Sequence, residues 1–194
     1  MDAEEVRSSS EREFRRMKLC ADRALEQIDD GQFFQAIDPE SNSPGVLVKH
    51  MAGNLSSLWR NFLTEDGEKS NRDRDGEFVM RPEDTRNVLM SAWEEGWATL
   101  FEAVSALTQE QMTEGTAVIC GEQHTVTEAL HRQMSHYGYH VGQIVFLAKH
   151  LAGEAWQSLS IPRGQSRAFN EKSLSYLRTQ TADTPDSGEI PFHE

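Results

Sequence analysis

Two histidines, His136 and His140, stand four residues apart in the stretch "HRQMSHYGYHVGQIVFLAKH". If this stretch is a helix, their Cβ atoms lie about 5–6 Å apart on one face. Both imidazoles then reach a single ion at about 2.0–2.1 Å. On a helical wheel Ala129, Gln133, His136, His140, Gln143 and Leu147 share one stripe, and an apolar row from Leu130 to Leu151 runs beside it. The apolar row must face a core, so the polar stripe lies at its edge or inside it. His131 projects away, and His150 sits near the helix end.

A metal needs at least one more protein ligand. His50, in "VLVKHMAGNLSSLW", shares a face with Leu47, Met51, Asn54 and Leu58. A lone histidine on an apolar face is ordinarily a core residue. Three core-facing histidines on two helices shift the balance to a metal site, since bundles build such sites from facing helices. Ligating histidines usually donate their second ring N–H to an oxygen. Asn54, Gln133 and Gln143 lie one turn from the ligands and are placed to supply it, or simply to hydrogen-bond across the core.

The elements that must position these residues follow from apolar spacing. Helices are expected at about 10–29, 43–63, 82–107 and 125–152. Ser43 and Pro44 open the second. Pro82 opens the third, with Glu83 and Asp84 in its first turn. Thr125 and Glu128 cap the fourth, and Gly153 ends it. "TQEQM" predicts a helical turn and "TAVIC" a short strand or hairpin. These features predict an all-α fold, a four-helix bundle with long loops, as a single domain over 1–178, and a flexible tail over 179–194.

Composition bounds the partners. The 194-residue chain carries 19 basic and 32 acidic side chains, a net charge of −13, which argues against nucleic acid or an anionic membrane as partner. No apolar run is long enough for a transmembrane helix, and the charged beginning lacks the core of a secretory signal. Two cysteines make no disulfide framework, so a cytoplasmic location is expected. Cys20 is expected in the core and Cys120 in a loop or strand. The loop 64–81, "TEDGEKSNRDRDGEFVMR", is long enough to be functional. Trp59, Arg60, Arg72 and Arg74 are placed to line a pocket mouth and hold an anionic substrate, although Trp59 equally suits the core and the arginines equally suit the adjacent acids. Asp66, Asp73, Asp75 and Glu77 are the available general bases, or a solvated charged loop, and Asp75 is also a candidate to line the pocket. Trp93 and Trp97 suit a core or a dimer interface.

One histidine on the second helix followed by H-x-x-x-H on the last resembles the DinB/YfiT-like superfamily, as do "HMAGNLSSLWRNFLTEDGEKSNRDRDGEF" and "WQSLSIPRGQS". The resemblance spans about residues 10–170. It implies an up-down-down-up bundle, often homodimeric, with His50, His136 and His140 holding a divalent metal such as zinc, nickel, iron or manganese. It further implies an enzyme that joins a low-molecular-weight thiol to a small-molecule substrate, as S-transferase or isomerase. Two other readings stand beside it. One is a metal-dependent hydrolase of esters or amides. The other is a non-catalytic dimeric module that uses metal for stability or in a stress response.

Overall fold

The computed structural model describes residues 2–171 and falls into two units, one up to Ala155 and one from Trp156. It is mostly helical with one small two-stranded sheet. In order, the first unit contains α1 (Ala3–Leu25), α2 (Asp30–Phe33), α3 (Pro44–Trp59), a 3-10 turn (Asp75–Phe78), α4 (Arg86–Ser105), α5 (Gln109–Glu114), β1 (Thr116–Ile119), β2 (Glu122–Thr125), α6 (Val126–Ala152) and a final 3-10 turn (Gly153–Ala155). In the second unit, residues 166–171 are helical and Gly164 occupies a left-handed turn position (φ 78°). The expected tail, 179–194, lies outside the described residues. Among the described residues no helix is long and apolar enough to cross a membrane.

Several helix boundaries depart from the expectation, and α3 ends at Trp59 rather than near residue 63, with Asn61 beyond it at positive φ (56°). α1 begins at Ala3 rather than near residue 10, because Asp2 caps it by accepting from Glu5 N at 2.8 Å. Pairs such as Arg15–Glu11 and Arg16–Glu13 run along its polar face, which shows no apolar period. It stops at Leu25, and Asp29 instead forms a capping box with Gln32 for α2. α4 begins at Arg86 with Thr85 as its cap, so Pro82, Glu83 and Asp84 precede the helix. Asp84 accepts from Lys49 Nζ at 2.6 Å and from Arg81 N at 2.7 Å, which holds it in the turn. The caps at Ser43 and Thr125 and the turn at Gly153 lie where expected.

The four long helices share one core. Phe14 meets Trp59 and Tyr137 edge-on, and Trp93 packs on Trp97. Both α4 tryptophans are fully buried. Each such side chain contributes about 1.5–3 kcal/mol through removal from water. Between α1 and α4, Arg7 reaches Ser105, Lys18 reaches Glu94, and Arg86 reaches Leu25. α3 approaches α4 closely at Gly96, where a Cβ would lie 2.9 Å from Leu55 Cβ and 3.3 Å from Ala52 O. α6 meets α1 at Phe14–Tyr137 and α3 at Asn54–Tyr137.

β1 and β2 form an antiparallel hairpin with Ile119 opposite Glu122. Its two-residue turn has positive φ at both Cys120 (54°) and Gly121 (77°), the signature that matches strand twist. Asp66 reaches across from the loop after α3 and accepts from Cys120 N at 2.9 Å and Gly121 N at 2.7 Å. Ser57 Oγ donates to Gly67 O at 2.6 Å. The loop 64–81 is therefore tied to both α3 and the hairpin.

Candidate metal centre

The capping box at Thr125 starts α6 in the register that turns Gln133, His136 and His140 inward. The cap at Ser43 does the same for His50 on α3. His50 is 3% exposed and His140 8%, while His136 is half-buried. One ring nitrogen from each of the three lies within 4.8 Å of the others, a group that could hold a metal ion.

Two further observations test the fit. The Nε2 atoms of His136 and His140 stand 3.1 Å apart. Two nitrogens on one ion at 2.0–2.1 Å, at right or tetrahedral angles, would be about 2.8–3.4 Å apart. The outer nitrogens are also committed. His50 Nδ1 lies 2.8 Å from Glu77 Oε2, and His140 Nδ1 lies 2.8 Å from Gln143 Oε1. A carboxylate or amide oxygen there accepts the Nδ1 proton, which leaves Nε2 of His50 and His140 as lone-pair donors. The donor set therefore suits a borderline divalent cation.

Glu77 is the residue that sequence reasoning placed only among general bases. It sits in the 3-10 turn, buried, and accepts from Arg72 Nε at 2.7 Å and Nη2 at 2.8 Å as well as from His50. Burial works to raise its carboxyl, but the hydrogen bonds from His50 and Arg72 outweigh it and hold the group below the ordinary carboxylate range. Arg72 also donates to Glu68 at 3.0 Å. Gly53 makes this geometry possible. A Cβ there would lie 2.7 Å from the Glu77 carboxyl carbon. The signal was present in the chain: Gly53 and Ser57, three and seven residues after His50, mark a helix edge that something approaches closely. It did not say which of the loop's acids would approach.

The two α6 imidazoles are held neutral. His136 is pushed down to about 4, first by burial and then by His140, His50 and the two arginines. His140 is lowered by burial against the opposing hydrogen bond from Gln143. Neutral imidazole is the ligating form.

The remaining expected site residues divide. Gln143 meets His140, as above. Asn54 is turned to Tyr137, whose hydroxyl donates to Asn54 Oδ1 at 2.9 Å and accepts from Trp59 Nε1 at 2.9 Å. Gln133 is 3% exposed and its Oε1 has no partner among the described residues. A cavity of about 200 Å³ opens beside His50 and His136, with Arg72 and Arg74 in its wall. Trp59 and Asp75 are not part of that wall, but Trp59 lines, with Arg60, a separate cavity of about 580 Å³ between the end of α3 and α4. Trp59 is buried against Phe14, Phe62 and Tyr137, while Asp75 is exposed on the 3-10 turn. Asp66 serves the hairpin turn, and Asp73 caps Gly76 N and pairs with Arg81.

No curated protein and no solved structure matches the chain. A family model does, over residues 2–165, from the cap of α1 past the end of α6, and on that extent the chain belongs to the family described as "Protein of unknown function (DUF1572)".

Proposed function

We propose that this protein is a metal-dependent enzyme of the DinB-like superfamily, of the thiol S-transferase or isomerase type. His50, His136 and His140 are its ligands for one zinc, nickel, iron or manganese ion. The observation that carries the reading is the convergence of three ring nitrogens within 4.8 Å beside an open cavity. When bound, such an ion supplies a positive centre that lowers the pKa of a thiol and stabilises its thiolate. The chain's own residues do the rest. Glu77 orients His50, Gln143 orients His140, and the cavity admits an electrophile next to the histidines. The thiol cofactor itself rests on the superfamily resemblance.

A hydrolase would need a free base beside the histidines. Glu77 is instead occupied by His50 and Arg72, and both Asp66 oxygens accept backbone N–H groups. A purely structural site would have no use for an adjoining cavity. The bundle is assigned the up-down-down-up order. The residue numbers of contacts fall against each other between α1 and α4 and between α3 and α6, which supports antiparallel pairs. A homodimer is the expected assembly, and the exposed Tyr139 and Phe146 on α6 are its best apolar contacts. The cytoplasm is the expected compartment, and the unpaired thiols of Cys20 and Cys120 suit it.

Metal content by inductively coupled plasma mass spectrometry tests the reading, with tag-free wild type beside His136→Ala. About one ion per wild-type chain and far less in the variant is expected, followed by thiol–electrophile turnover with that metal. A wild type that takes up no zinc, nickel or manganese overturns it.

A further inference from the structure

Three arginines, Arg72, Arg74 and Arg132, line the cavity beside the histidine group, in a chain whose net charge is −13. They are not equivalent. Arg72 has Nε and both terminal nitrogens committed to Glu77 and Glu68, so it serves as a strut. Arg132 is exposed, and its Nη1 lies near Glu122 and His124. The Arg74 side chain has no hydrogen-bond or ion-pair partner among the described residues. The same wall carries Gln133, almost wholly buried, with an amide oxygen that meets no donor. A buried acceptor left unmade is costly, and a donor from a ligand offsets that cost.

We propose that this cavity is a subsite for a small carboxylate that carries an O–H or N–H donor close to its charge, as hydroxy acids do. The carboxylate lies on Arg74, with Arg132 at the rim, because a guanidinium fork matches two carboxylate oxygens. The neighbouring donor meets Gln133 Oε1. The volume of about 200 Å³ limits the ligand to a few carbons. Held there, the molecule has its far end beside His50 and His136. This places the electrophile of the proposed reaction, and only that role depends on the metal reading.

Cys120 supplies the reporter. Its exposed thiol lies on the cavity wall at the hairpin turn. The only other cysteine, Cys20, is half-buried, and burial pushes its thiol up, so it alkylates slowly. The experiment follows alkylation of Cys120 by iodoacetamide, read by peptide mass spectrometry, on chelator-treated protein. The probes are malate, malonate, inorganic phosphate and the uncharged glycolamide, with wild type and Arg74→Gln compared. Malate should slow alkylation several-fold, malonate less, and glycolamide not at all. Arg74→Gln should raise the half-protecting malate concentration about tenfold or more. Equal protection by glycolamide, stronger protection by phosphate than by malate, no protection by any probe, or unchanged protection in Arg74→Gln would overturn the subsite. Metal uptake measured on parallel samples separates the two readings. Normal zinc uptake without malate protection refutes the subsite alone. Malate protection in a protein that takes up no metal refutes the metal centre alone.

Discussion

Replacing Glu77 by glutamine separates a positioned metal centre from a chance meeting of histidines. The native carboxylate accepts three hydrogen bonds at 2.7–2.8 Å from His50 and Arg72, in a buried setting. Glutamine keeps the shape but offers one acceptor oxygen and no charge. The His50 ring then loses its fixed orientation and its added basicity. Loss of such an outer partner typically lowers metal affinity about 10–100-fold, or about 1.4–2.8 kcal/mol. The fold suffers too, because Arg72 keeps only Glu68. Each hydrogen bond to a charged group is worth about 1.5–3 kcal/mol, so a loss of about 2–4 kcal/mol is expected after partial compensation by the amide. Zinc affinity from competition with a chelating dye, together with urea unfolding of the metal-free protein, measures both. The double variant Arg72→Met/Glu77→Gln removes the stranded cation, so it should recover stability without recovering affinity. If Glu77→Gln loses stability yet binds zinc within about twofold of wild type, Glu77 serves Arg72 alone and the reasoning fails.

Gly53→Ala should act through the same carboxylate, because the added methyl meets Glu77. A loss of about 1–3 kcal/mol in urea unfolding is expected, with weakened zinc binding. Gly96→Ala, which crowds Leu55 in the α3–α4 contact, should lower stability while leaving zinc binding unchanged. Tyr137→Phe leaves the buried Trp59 Nε1 and Asn54 Oδ1 without their shared partner and should cost about 1–3 kcal/mol, read by the same unfolding assay. Metal-free protein should lose stability as pH falls from about 6.5 toward 4. The unfolded chain protonates its histidines in that window, while burial holds His136 neutral until about 4. The gap between unfolding curves at about pH 7 and about pH 5 should narrow in His136→Gln, while His140, also lowered by burial, keeps the remainder; an unchanged gap would assign the effect to other groups.

The three-histidine group was legible in the chain because helical geometry is periodic. Spacing alone set His136 and His140 on one stripe and His50 on the apolar face of α3, and the caps at Ser43 and Thr125 fixed their registers. The start of α1 was not legible, because that stretch is stabilised by a cap and the Arg7–Glu4 ion pair rather than by an apolar period. The amides Asn54, Gln133 and Gln143 have equivalent spacing from the histidines, yet the structure gives them three different environments. Tyr137 competes for the first, the second has an unpaired oxygen, and only the third meets a ring. Side-chain competition of this kind has no period and leaves no trace in spacing.

The loop 64–81 binds these observations into one mechanical unit. Its first part is pinned to the hairpin by Asp66 and to α3 by the Ser57 hydroxyl, and its last part delivers Glu77 to His50 past Gly53. Between those anchors it carries Arg72, which braces Glu77, and Arg74, whose side chain lines the cavity with no partner among the described residues. The hairpin turn returns the contact by placing Cys120 on the same wall. One loop, with a single 3-10 turn as its regular element, thus orients a histidine and charges the cavity beside it. A packed helical core could not do both, since charged groups on its buried faces would each need a partner. The two glycines serve different ends. Gly96 lets α3 and α4 close on each other, whereas Gly53 leaves the edge of α3 open for a carboxylate. That opening, rather than the histidine spacing alone, is what gives a helical core a candidate site with an oriented donor set and a neighbouring pocket.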